Sequence, residues 1–114
     1  RRECQFMRNE VVVSKIAGYT DKILKYCSGV SYDQFVGDSM LVEACVFNLS
    51  QMGELANKVD PDYAASHREI PWRHLYGLRN RIVHDYDGVN LALIWQIVSE
   101  DLPDLKRTLA KICK

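Results

Sequence analysis

"LVEACVFNLSQMGELANKV", residues 41–59, is the stretch that decides the fold. Leu41, Cys45, Leu49, Met52, Ala56 and Val59 recur at intervals of three and four, which places them on one stripe of an α-helix. The helix is expected to begin at Tyr32 or at Asp38 and to run to Val59, where "DPD" (60–62) ends it. Asn48 falls inside the stripe. There it is expected to satisfy a backbone group, with a reach toward Arg79 as the alternative. Glu54 lies off the stripe, as a solvated or interfacial residue would.

Outward from this helix the same periodicity continues. A first helix is expected over residues 3–27, with Phe6, Val12 or Val13, Ile16, Ile23 and Cys27 inward and "SGVS" (28–31) as its break. A short helical turn covers residues 63–67. "IPW" (70–72) opens the next helix, because proline suits a first helical turn. That helix runs to His84 or Tyr86 and stops near Gly88. Asn90 is placed to cap the last helix, residues 91–112. Pro103 should kink it or restart it after Asp101. Short connections between long helices predict an all-α, antiparallel up-down bundle of four main helices plus a short one.

The totals agree. The 114 residues suit a single domain spanning 1–114, and 47% hydrophobic with 26% charged is an ordinary globular balance. Fifteen basic residues match fifteen acidic ones, which argues against coating nucleic acid by bulk charge and leaves room for a local phosphate site. No apolar run is long enough for a membrane span, and "RRECQFMRNE" has no signal-peptide core, so a cytoplasmic location is expected. The absence of an initiator Met predicts missing leading residues. Cys4, Cys27, Cys45 and Cys113 show no C-x-x-C or zinc-ligand pattern. They are expected as free thiols, with a Cys4–Cys113 disulfide as the alternative. His67, His74 and His84 form no tight metal cluster, and no phosphate loop or cofactor motif is present. Neither metal nor cofactor is expected.

"RNRIVHDYDG", residues 79–88, concentrates the chemistry. Read as a continuous helix, it puts Arg79 in the middle of the stripe of Trp72, Leu75, Tyr76, Leu78, Ile82, Val83 and Tyr86. A guanidinium there is costly unless it is paired or opens on a cleft. Arg73, Gly77, Asn80 and His84 make a second, polar stripe. Gly77 leaves space for another backbone, which would suit a helix facing both its own bundle and a partner subunit. His84 lies near a helix end beside Asp85 and Asp87, both of which favour imidazolium. An imidazolium can donate a proton to a leaving group. Arg79 offers a planar fork to a phosphate. Each residue also has a plainer reading. Arg81 and Asp85 form a surface ion pair, His84 caps a helix, and Arg79 pairs with a buried carboxylate.

"RNRIVHDY" matches the R-x4-H-x-Y motif, and the chain resembles HepT-like toxins of the HEPN superfamily. "IPWRHLYGLRNRIVHDYDGVNLALIWQIVSEDLPDLKRTL" is similar to that family's third and fourth helices, and "QMGELA" (51–56) to a segment of its second. The resemblance covers the chain from about residue 21 to its end. It implies a HEPN-like homodimer with the two motifs close to the interface. It implies a metal-independent endoribonuclease in which Arg79 and His84 are catalytic, supported by Asn80. The 2′-hydroxyl of RNA would attack the adjacent phosphate. The implied partner is a minimal nucleotidyltransferase antitoxin, in a toxin–antitoxin pair resembling type VII, that transfers AMP to Tyr86. A basic groove for RNA would then draw on Arg73, Arg79, Arg81 and Lys58. In a straight helix Arg79 and His84 are about 140° apart, and two chains joined by a two-fold axis would let them share one cleft. Two other readings stand beside this one. The groove could be a non-catalytic site for a nucleotide or for the partner enzyme, with Tyr86 as AMP acceptor. The chain could also be a purely structural helical dimer.

Overall fold

The computed structural model describes the backbone of residues 2–82 and 90–112, and their side chains apart from residues 2–7 and Arg79. The described elements are all helical. They are α1 (Arg2–Tyr26), α2 (Tyr32–Val36), α3 (Ser39–Ala56), α4 (Pro61–Ser66), α5 (Trp72–Tyr76), α6 (Leu78–Ile82), α7 (Leu91–Gln96), a π-helical turn (Ile97–Asp101) and α8 (Leu102–Ile112).

Helices α1 and α3 form the antiparallel spine. Three cross-links show their direction: Asn9 with Asp60, Thr20 with Met52, and Cys27 with Cys45. Higher numbers on one helix meet lower numbers on the other. The stripe read from the sequence is the face that packs. Cys45, Leu49, Met52 and Ala56 are fully buried, Val59 is nearly so, and Val13, Ile16 and Ile23 oppose them from α1. Each of the buried Val, Leu, Ile and Met side chains contributes about 1.5–3 kcal/mol through removal from water. Helix α8 lies against α1, where Lys106 and Asp21 form an exposed ion pair at 3.4 Å. Phe35 anchors the short α2 and packs on Trp95 of α7, with ring centroids 5.2 Å apart.

The helix boundaries follow local chemistry. Asp38 caps α3 by accepting from the Leu41 backbone N–H, so the later of the two expected starts is the right one. Residues 32–36 are a separate helix. Ser31 and Gln34 bond reciprocally at its start in a capping box, and Gly37 ends it. Asn57 closes α3, and turns carry the chain on to Val59. Asn90 caps α7 as expected, accepting from Leu93 N–H at 3.0 Å.

Pro103 acts as read. It has no N–H to give the Ser99 carbonyl, and its ring would crowd that carbonyl in a regular α-turn. The chain widens into the π-helical turn, in which Leu102 N–H bonds Ile97 O, and α8 restarts at Leu102. Ser99 Oγ donates to Trp95 O at 2.7 Å within this turn.

One expectation needs correction. The helix opened by Pro71 does not run unbroken. It stops at Tyr76, and Gly77 separates α5 from α6. Glycine is a poor helix former, and Gly77, at φ −93° and ψ 6°, leaves the α-path for one residue. Tyr76, expected in the apolar stripe, is 40% exposed at the end of α5. Among the described residues no helix is long and apolar enough to cross a membrane.

Candidate nucleic-acid site

Helix α6 carries the first half of the R-x4-H-x-Y sequence, and its position is set by apolar contacts. Leu78 and Ile82 are buried and hold α6 against α3. Trp72 and Leu75 do the same for α5, and Trp72 Nε1 donates to His67 O at 3.0 Å. At the far side, Asn90 N–H bonds Ile82 O at 3.4 Å. The two residues that flank 83–89 are therefore joined to each other, and the start of α7 is tied to the end of α6.

Around this anchor the polar side chains point outward. Arg73 and Asn80 are exposed and Arg81 is half-buried. Among the described residues neither Arg73, Arg81 nor Lys58 is ion-paired. The aliphatic stem of Arg81 runs beside Gly77, with Cδ 4.0 Å from where a Cβ would stand. Among the described residues the only backbone atom within 4 Å of where that Cβ would stand is Arg73 O, at 3.9 Å. The backbone of Arg79 lies in α6. Its side chain, His84, Tyr86 and the expected Arg81–Asp85 pair fall outside what is described, as do the Cys4 side chain and Cys113 with their alternative disulfide.

Asn48 has a settled role. Its Nδ2 donates to Ala44 O at 2.6 Å, so it satisfies a backbone carbonyl inside α3, the first of the two readings. Glu54 is exposed, off the buried stripe.

Two features were missed in the sequence. The first is a groove of ≈ 640 Å³ along the outer face of α3, lined by Val42, Glu43, Val46, Phe47, Ser50, Gln51, Glu54 and Lys58. Phe47 is 59% exposed there. The pattern at 42, 46, 50 and 54 is helical, but the buried stripe beside it is stronger and absorbs the signal. The second is the contact of Cys27 Sγ with Cys45 Sγ at 3.6 Å. Burial pushes the Cys27 thiol up, and burial together with Cys27 pushes Cys45 up to about 12. Among the described residues no three His, Cys, Asp or Glu side chains converge to hold a metal ion.

Comparison with known proteins gives the motif its context. A family model described as ribonuclease HepT-like matches residues 16–112. The chain belongs to the HepT-like ribonuclease family. Among its relatives is a protein of Caldanaerobacter subterraneus subsp. tengcongensis, provisionally named an RNase. It is 30% identical over 101 residues, covering 82% of this chain and 90% of that one. A protein of Thermococcus cleftensis, provisionally named ribonuclease HepT, is 30% identical over 99 residues, covering 87% and 90%. One from Methanocaldococcus jannaschii, also provisionally named an RNase, is 29% identical over 85 residues, covering 75% and 78%. Among solved structures nothing matches.

Proposed function

We propose that this HepT-like chain is a metal-independent endoribonuclease and the toxin half of a toxin–antitoxin pair resembling type VII. The observation that carries the reading is the complete R-x4-H-x-Y sequence at residues 79–86, inside a family match spanning nearly the whole chain.

In the proposed reaction a ribose 2′-oxygen forms a bond to the adjacent phosphorus, and the bond from phosphorus to the 5′-oxygen breaks. The 2′-hydroxyl proton goes to a base, and a proton is delivered to the departing 5′-oxygen. His84 serves as acid or base, since an imidazole exchanges protons near neutral pH. Arg79 holds the phosphate and stabilises the charge that develops on its oxygens. Asn80 supports them. Arg73 and Arg81, with Lys58, attract the RNA backbone; their lack of carboxylate partners among the described residues favours this role. The products are a 2′,3′-cyclic phosphate and a 5′-hydroxyl.

The working unit is proposed as a homodimer in the cytoplasm. The groove on α3, with Phe47 exposed among polar side chains, is the kind of surface that a second chain covers. Pairing two motifs brings two histidines and two arginines to one cleft. The partner is a minimal nucleotidyltransferase antitoxin. Tyr86 Oη attacks the α-phosphorus of ATP, an ester bond forms, and pyrophosphate leaves. The added phosphate repels RNA from the neighbouring arginine and histidine.

The test is end-group analysis of a defined RNA after incubation with the purified chain in EDTA. Cyclic phosphate and 5′-hydroxyl ends are expected. The appearance of 5′-phosphate ends, or a strict need for added magnesium, would contradict the mechanism.

A further inference from the structure

The RNA chemistry leaves one pair of nucleophilic side chains unused. Cys27 is the first residue past α1, and Cys45 lies in the middle of α3. Their sulfurs are in van der Waals contact at 3.6 Å. Cys45 is fully buried, whereas Cys27 is half-buried and meets solvent. The backbone holds Cys27 on both sides: its N–H bonds Ile23 O at 3.0 Å, and its carbonyl accepts from Val30 N–H at 3.1 Å. The pair is thus presented by two ordered segments. A disulfide needs the sulfurs at about 2.0 Å, so they have about 1.6 Å further to close.

We propose that Cys27 and Cys45 are an oxidisable dithiol whose disulfide staples the end of α1 to α3. The oxidant is a small-molecule disulfide of the glutathione class. Cys27, the accessible thiol, loses its proton to solvent and attacks one sulfur of the oxidant. A bond forms between Cys27 Sγ and that sulfur, the oxidant's own S–S bond breaks, and one thiolate leaves. Cys45 then loses its proton and attacks Cys27 Sγ, which releases the second thiolate. The protein gives up two electrons and two protons, and the oxidant becomes two thiols. Burial holds both protein thiols protonated near neutral pH, so the exchange is slow and needs sustained oxidising conditions.

The staple closes the loop of residues 28–44, which carries α2. Such a cross-link restricts the unfolded chain more than the folded one. It lies on α1 and α3 rather than on α6, so its effect is on how readily the bundle unfolds.

The experiment uses the full chain, incubated reduced or with oxidised glutathione, alkylated in denaturant and digested for peptide mapping. The expected result is a linked peptide pair joining Cys27 to Cys45, lighter by two hydrogens than the reduced pair. A higher Tm is expected alongside, and both should reverse with reductant. Cys27→Ser should abolish link and Tm shift together. Mapping of the unsubstituted chain decides the question even if that variant folds poorly. Glutathione left on Cys27 as a mixed disulfide would overturn the proposal. So would recovery of both thiols reduced, or a link that gives no rise in Tm.

Discussion

Asn9 is buried on α1 and exchanges two hydrogen bonds with Asp60. Its Nδ2 donates to the Asp60 carboxylate at 3.2 Å, and its Oδ1 accepts from the Asp60 backbone N–H at 3.1 Å. Asp60 stands at the N-cap of α4 but makes no cap bond there, because its carboxylate is turned to Asn9. Asn9→Ala is expected to cost about 1–3 kcal/mol, since it leaves partners in a half-buried place without replacements. Urea unfolding measures this, and a change under a few tenths would show the pair to be idle. The two thiols make a pH prediction. Raised thiol pKa values mean that the folded state keeps protons the unfolded chain releases. Stability is therefore fully present below pH 9 and is lost as pH rises from 9 toward about 12, the value to which burial and Cys27 push Cys45. Cys45→Ala should flatten that slope relative to the parent, as read by denaturant midpoints across the window. At this scale the sequence was uneven. Asn90 was legible because a cap acts on residues three positions away. The Asn9–Asp60 and Cys27–Cys45 contacts were not, because 51 and 18 residues separate the partners and no local pattern reports a tertiary meeting.

Helices were legible where one apolar stripe repeats over several turns, as in α1, α3 and α8. They were misread where a single residue outweighs the stripe. The spacing of Trp72, Leu75, Leu78 and Ile82 is helical, and all four are buried, yet Gly77 divides the run into α5 and α6. The face survived the break and the continuity did not. Pro103 was read correctly because its missing N–H and bulky ring leave few alternatives. Among the described residues a Cβ added at Gly77 meets only ordinary contacts, at 3.9 Å from Arg73 O and 4.0 Å from Arg81 Cδ. Gly77→Ala is therefore expected to stabilise the isolated chain by about 0.4–1 kcal/mol, because alanine at a backbone conformation it can adopt lowers the freedom of the unfolded chain. Chemical denaturation at low protein concentration tests it, and a clear loss of stability would contradict the open geometry.

Across the whole molecule, the fold class and the family were both legible, the first from periodicity and the second from the residues around "RNRIVHDY". The outer face of α3 was not, because an exposed apolar residue carries no mark in a sequence until its neighbours are known to be buried. Phe47→Glu tests the proposed dimer. At 59% exposure the substitution should leave the fold intact, turn a dimer into a monomer in sedimentation, and lower RNA cleavage with it. An unchanged sedimentation coefficient would move the interface elsewhere. This bundle is proposed to cut RNA through its motif without a metal. The most direct test is cleavage of one defined RNA in EDTA by the parent chain and by His84→Ala, prepared identically, with intact mass showing Tyr86 unmodified. The expected result is cleavage by the parent and a loss of about 10²–10⁴-fold in the variant. Equal cleavage by both, or none by the unmodified parent, would contradict it.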